Sequence, residues 1–215
     1  MASLRKAASC IGVSGNFSVL KDFYGYRTGA PKPLSLRTQV RLLQGAHIHL
    51  NLIQTADFGK DAIAIDAALQ FTRDTYATVS LGVGRVKRFV TPPGWEVIDG
   101  HEDSQDLWNS FSVPNDGIDV FLVKLIVGGA VGHSPEPRGE CDKDDKDDSG
   151  CTIEIEQNSS LGKTLAHEVG HYLGLRHAAS PLNLMYKTVD NVGRLDANQG
   201  IVMRLHCSVH AGCST

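Results

Sequence analysis

From Ala46 onward apolar and polar residues alternate. Ile48, Leu50 and Leu52 fall on one face and His47, His49 and Asn51 on the other, a period of two that predicts a half-buried strand ending near Thr55. The period then lengthens. After Asp61, which is placed to cap a helix, Ile65, Ala68, Leu69, Thr72 and Tyr76 recur every three or four residues and form one apolar stripe. Val79, Leu81 and Val83 alternate as a second strand, and Ile118 to Val127 is apolar nearly throughout, as in a strand buried on both faces. Between them, Thr91 to Asn115 reads as a long connection holding Trp95 and Trp108. Thr152 to Glu156 alternates as a short strand, and Asn158, Ser159 and Ser160 offer caps for a helix from about Leu161 to Leu173. A last helix begins at Asp196, with Gln199 as its capping-box partner and Ile201, Val202 and Leu205 as its buried side.

Residues 1–45 lack this periodicity. They are rich in Gly, Ser, Pro and basic side chains, and Ala30-Pro31-Lys32-Pro33 breaks any helix there, so they read as an N-terminal arm or pro-segment ahead of a domain spanning 46–215. The chain has 215 residues, 41% of them hydrophobic, enough for one large core. Its net charge of -3, with scattered lysines and arginines, provides no field for a phosphate backbone and argues against a nucleic-acid partner. The longest apolar stretch, Ile118 to Gly132, is broken by Asp119 and Lys124 and is too short for a membrane span. Met1 to Cys10 lacks the apolar centre of a signal peptide.

The cysteines stand at 10, 141, 151, 207 and 213. Cys141 with Cys151 and Cys207 with Cys213 each bracket a short polar segment, as loop-stapling disulfides do, which favours an oxidising, secreted setting; free thiols are the alternative. The segment between Cys141 and Cys151 is dense in aspartate. Asp145, Asp147 and Glu156 fall at calcium-loop spacings, although no helix precedes the loop and a strand follows it; a bound Ca2+ and a solvated loop both remain open.

The chemistry concentrates in His167-Glu168-Val169-Gly170-His171-Tyr172-Leu173-Gly174-Leu175-Arg176-His177. Histidines four apart on a helix share a face and can reach one ion at about 2.0–2.1 Å. Glu168, beside the first of them, can take a proton from a metal-activated water without itself being a ligand. His177 is too far along to share that face. The chain must turn, and Gly174 is the residue able to take a positive φ. Three neutral imidazoles leave one position of a tetrahedral zinc open, the arrangement of a catalytic site.

This string fits the metzincin pattern HExxHxxGxxH at every fixed position, and the chain resembles that family of zinc metalloproteases over about residues 46–207. The resemblance implies an α+β fold: a twisted mixed sheet packed on helices, a zinc-binding active-site helix, a Met-turn and a C-terminal helix. It implies one catalytic Zn2+ on His167, His171 and His177, Glu168 as general base and Met185 as the Met-turn residue beneath the histidines. Leu184-Met185-Tyr186 looks more like matrixins than astacins or serralysins, since Lys187 stands where those carry a metal-binding tyrosine. In matrixins the segment after the methionine lines a substrate pocket, which points to Asn183 and Tyr186. Matrixins are also kept latent by a pro-segment thiolate, a role in which Cys10 would lack its usual neighbours. The function implied is endopeptidase cleavage of a protein or peptide substrate. The alternatives are a catalytically silent or latent binding module on the same scaffold, or hydrolysis of a non-peptide amide; His133 reads as a loop-bracing residue.

Overall fold

The computed structural model describes residues 11–13, 40–42, 45–55, 61–136, 138–143, 146–156, 160–188 and 193–211. Cys10, Cys213, Asp145 and most of residues 1–45 lie outside the described residues. Among residues 1–45, β1 (Ile11–Val13) pairs antiparallel with β2 (Val40–Leu42).

The centre is a five-stranded sheet built from β3 (His47–Gln54), β4 (Gly82–Val90), β6 (Ile118–Val123), β8 (Gly132–His133) and β9 (Gly150–Glu154), in the order β4-β3-β6-β9-β8. All neighbours are parallel except β8, which runs antiparallel to β9 at the edge. The helices are α1 (Ala62–Ala77), α2 (Gly100–Phe111), α3 (Leu161–Tyr172) and α4 (Ala197–Arg204). The fold is α+β.

The sheet is buried on both faces. Ile48, Leu50 and Leu52 of β3 and Ile118, Val120 and Leu122 of β6 pack with Ile65, Leu69 and Tyr76 of α1 and Leu165 and Val169 of α3. On the other face Ile53, Phe121 and Val123 meet Leu107 and Trp108 of α2. Tyr76 also donates its hydroxyl hydrogen to the Ala166 carbonyl at 2.7 Å, fastening α1 to α3.

Several expectations need correction. His47, His49 and Asn51 do point away from the main core face, but they too are buried, because chain packs on the second face of β3. Thr91 to Asn115 is not a bare connection: it holds β5 (Val97–Asp99) and α2. Only Ser104, Leu107 and Trp108 of α2 are buried, too short a stripe to read as helical periodicity, while Glu102 and Asp103 suit the positive end of its dipole. Ile118 to Val127 is two strands. The backbone N–H groups of Lys124 and Leu125 both donate to the Glu96 carbonyl, and β7 (Leu125–Val127) leaves the sheet to pair with β5.

Asp61 and Ser160 precede α1 and α3 without a side-chain cap, whereas the Asp196–Gln199 capping box on α4 is complete. α4 buries Gly200 and Met203, and Ile201, Val202 and Leu205 are exposed. A Cβ at Gly200 would lie 2.6 Å from Val79 Cβ, so this bare face sets the helix rotation.

Among the described residues a disulfide joins Cys141 to Cys207, so Cys141 is not paired with Cys151, nor Cys207 with Cys213. Cys151 sits in β9 as a buried free thiol, its sulfur 3.6 Å from the Glu168 carbonyl, where the sheet carries it away from the loop. Cys141 instead lies beside the end of α4, where His206 Nε2 donates to the Gly139 carbonyl at 3.1 Å. The acidic loop is anchored by its own lysine. Lys143 Nζ reaches the buried Asp119 carboxylate at 2.9 Å, and Asn51 donates to the same oxygen at 2.7 Å. Asp147 is exposed in a single 3-10 turn and accepts from Asn109, while Glu156 is exposed past β9. A strand, not a helix, follows the loop, so the calcium reading has no structural support.

Candidate metal centre

α3 presents His167 and His171 one turn apart, and its C-terminal cap delivers His177. Gly174 adopts φ 93°, its N–H donates to the His171 carbonyl at 2.8 Å, and the Leu175 N–H donates to the Gly170 carbonyl at 3.0 Å. This double bond pattern closes the helix and reverses the chain. His171 Nε2 then stands 3.0 Å from His167 Nε2 and 3.2 Å from His177 Nε2, and the three residues offer nitrogens all within 4.8 Å of one another.

The hydrogen bonds on the far side of the rings decide what these nitrogens can do. His167 Nδ1 lies 2.8 Å from the Leu184 carbonyl and His171 Nδ1 lies 2.8 Å from the Leu175 carbonyl. A carbonyl can only accept, so each Nδ1 carries the ring proton and each Nε2 keeps a lone pair. Lone pairs brought this close repel unless a cation lies among them. Nitrogen ligands about 2.0–2.1 Å from a tetrahedral zinc are themselves separated by roughly 3.3 Å, close to the spacing found here. The three residues therefore fit a zinc ion. Burial pushes His167 down to about 4 and lowers His171 as well, which keeps both imidazoles neutral, the form a metal requires.

Glu168 is buried beside them. Burial raises its carboxyl to about 7, although a hydrogen bond from Ser134 acts against the shift. Met185 is fully buried against the helix; a Cβ at Gly170 would fall 2.8 Å from its sulfur, so glycine between the histidines admits the methionine. The loop is fixed by bonds from Leu184 N–H to the Arg194 carbonyl and from Ala178 N–H to the Met185 carbonyl.

A cleft of about 690 Å³ opens over the histidines and Glu168, bounded by Gly132, Ser134, His101, Lys187 and Thr188 among others. Asn183 and Tyr186, expected to shape it, are not among its lining residues. The Asn183 amide is bonded to Met185 N–H and the Gln199 amide, tying the loop to α4. His133 braces instead of binding with the three histidines: its Nδ1 is 2.8 Å from Ser104 Oγ and its ring lies edge-on to His101. Sequence reasoning offers Gly132-His133-Ser134, beside Ile126 to Val131, as an edge strand for substrate. It does not give the contacts of Gly132 and Ser134 with Glu168, since Ser134 and Glu168 stand 34 residues apart in the chain.

A second group of ligand-type residues, His49, Asp116 and His210, also falls within 4.8 Å. Here the far-side hydrogen bond has the opposite sense. The Arg85 backbone N–H donates to His49 Nδ1 at 3.0 Å, so Nδ1 holds the lone pair and the proton sits on Nε2, 3.9 Å from the Asp116 carboxylate. The Arg85 guanidinium already pairs with that carboxylate. His49 thus turns a proton, not a lone pair, toward the cluster.

The fold and the centre are consistent with a metzincin-like domain. A family model described as Matrixin matches residues 99–199. Among solved structures, the chain is similar to metalloproteinase-II from Bacteroides fragilis, with 18% identity and a TM-score of 0.55 over 74% of this chain and 52% of that one. It is also similar to mirolysin in complex with compound 9, with 16% identity and a TM-score of 0.56 over 75% of this chain and 91% of that one. A chain in a chaperone–substrate complex aligns with 15% identity and a TM-score of 0.51, over 82% of this chain and 36% of that one. The chain thus spans about half the length of the Bacteroides protein. No curated protein matches its sequence. At these identities the structural likeness speaks for the fold, and the family match supports a metalloprotease-type function. Among the described residues no helix is long and apolar enough to cross a membrane.

Proposed function

We propose that the chain is a zinc-dependent endopeptidase in which His167, His171 and His177 hold the metal and Glu168 is the general base. The observation that carries this reading is the pair of locked tautomers: His167 and His171 aim lone pairs at one point beside a buried carboxylate, in an open cleft. When bound, zinc would supply Lewis-acid polarisation of the scissile carbonyl and acidify a water. The remaining work belongs to the chain. Glu168, poised near neutrality, takes the proton of the attacking water and returns it to the departing amine. β8, at the free edge of the sheet, has backbone groups with which an extended peptide can pair, which orders the substrate along the cleft. The Met185 side chain closes the underside of the site against water. The Cys141–Cys207 disulfide is compatible with an extracellular setting.

The test is metal content measured beside cleavage of an unfolded protein such as casein, with and without a chelator. About one zinc per chain and chelator-sensitive cleavage are expected. Glu168→Ala should keep the zinc and lose about 10²–10⁴-fold in kcat. Undiminished turnover in that variant would remove Glu168 from the mechanism.

A further inference from the structure

The residues on either side of His133 face the other way, as alternate side chains of an extended segment do, and they meet Glu168. Ser134 is buried, and its hydroxyl donates to Glu168 Oε2. The same hydroxyl oxygen lies 3.0 Å from the Glu168 backbone carbonyl. Gly132 supplies the room. A Cβ there would sit 2.6 Å from both Cγ and Oε1 of Glu168 and 2.7 Å from Cδ, so the carboxylate lies directly over the glycine. The backbone beneath is fixed, because Gly132 pairs with Ile153 and the Glu154 N–H donates to the Val131 carbonyl at 3.0 Å.

We infer that Gly132 and Ser134 are positioning residues that seat the Glu168 carboxylate, with Ser134 holding Oε2 so that Oε1 is the oxygen left to take the water proton. This rests on the general-base reading of Glu168. A hydroxyl suits the task because it can both donate and accept. With the transferred proton on Oε1, Oε2 still accepts from Ser134, so the buried carboxyl keeps this partner before and after the transfer. No proton leaves Ser134. Without that hydroxyl Oε2 would be buried and unpaired, a state that favours rotation of the side chain out of its seat. Gly132 and Ser134 also belong to the segment proposed to pair with substrate, so one piece of backbone would align both the peptide and the base.

The experiment compares Ser134→Ala with the shape-matched pair Ser134→Thr and Ser134→Val. Each is measured in the zinc-loaded full chain for kcat, KM and zinc per chain, and crystal structures are determined for metal-free wild type and Ser134→Ala. Ala and Val should lower kcat about 10- to 100-fold with KM changed less than about twofold, zinc content intact, and Thr within about fivefold of wild type. In the Ser134→Ala crystal Glu168 should have left its place over Gly132. Wild-type kcat in Ser134→Ala, equal losses in Thr and Val, or an unmoved Glu168 would each overturn the inference. If Val does not fold, Ala against Thr makes the same comparison. Should the wild-type chain bind zinc and cleave nothing, the general-base reading falls, while the crystal structures still decide whether Ser134 seats Glu168.

Discussion

Among the described residues, two histidine clusters have similar composition and opposite chemistry. In the first, His167, His171 and His177 come from one helix and its cap, and two backbone carbonyls fix the ring protons on the outside. In the second, His47 and His49 come from β3 and His210 from the C-terminal segment, with His49 and His210 stacked 4.7 Å apart. There a backbone N–H fixes the His49 proton on the inside, and an arginine neutralises the nearest carboxylate. Proximity of ligand-type side chains is thus a poor guide to a metal site. The partner of the other ring nitrogen decides whether a lone pair or a proton faces the centre.

The sharpest way to break this comparison is to delete one ring from each cluster. His171→Ala should abolish both zinc binding and cleavage, while His49→Ala should leave about one zinc per chain and wild-type turnover per folded molecule. Loss of zinc in His49→Ala, measured by elemental analysis, would erase the distinction. The same His49→Ala change should destabilise the fold by about 2–4 kcal/mol in chemical denaturation, because the Arg85 N–H loses its acceptor and a buried ring is removed.

Acid should expose the second cluster next. Burial, then the charges of Arg85, His210 and His47, push His49 down to about 3, whereas in the unfolded chain it titrates near about 6.5. Between these values the unfolded chain binds a proton that the folded one refuses. Stability is therefore present above about pH 6.5 and is lost as the pH falls toward 3. His133, His206 and His210 shift in the same direction. In metal-free protein, His49→Asn should flatten this acid slope, and an unchanged slope would show that protonation of His49 is not what destabilises the fold in acid.

Replacing Cys141 and Cys207 together by serine should lower stability by about 2–4 kcal/mol, loosening the segment that carries His210 while leaving zinc content unchanged. The smallest effect belongs to His210→Ala. That ring is half-exposed and its backbone bridge to His47 survives, so a loss below about 1 kcal/mol in the same denaturation experiment is expected.

The sequence was most legible where one short segment sets the geometry. The α1 stripe, the Gly174 turn and the Asp196–Gln199 box are local, and each is present. What escaped is built from chain distant in sequence. Cys207 reaches Cys141 across 66 residues, Lys143 reaches Asp119 from a loop dense in aspartate, and Ser134 meets Glu168 only because β8 folds onto β9 beside α3. Burial of His49 was hidden for the same reason. Alternation separates the two faces of a strand, but it does not tell whether the second face meets water or more protein. The helix α2 escaped because a single apolar turn carries too little period to register.

The bridge between His47 and His210 has a consequence of its own. Each backbone donates to the other, at 3.0 Å and 2.8 Å, so the first strand of the main sheet and the last described segment are zipped side by side. The stretch from β3 to the last described segment is in effect a loop closed at this seam. The seam holds the start of β3 beside the chain that follows α4, so the path from β3 through α3 to α4 begins and ends at one place in the fold.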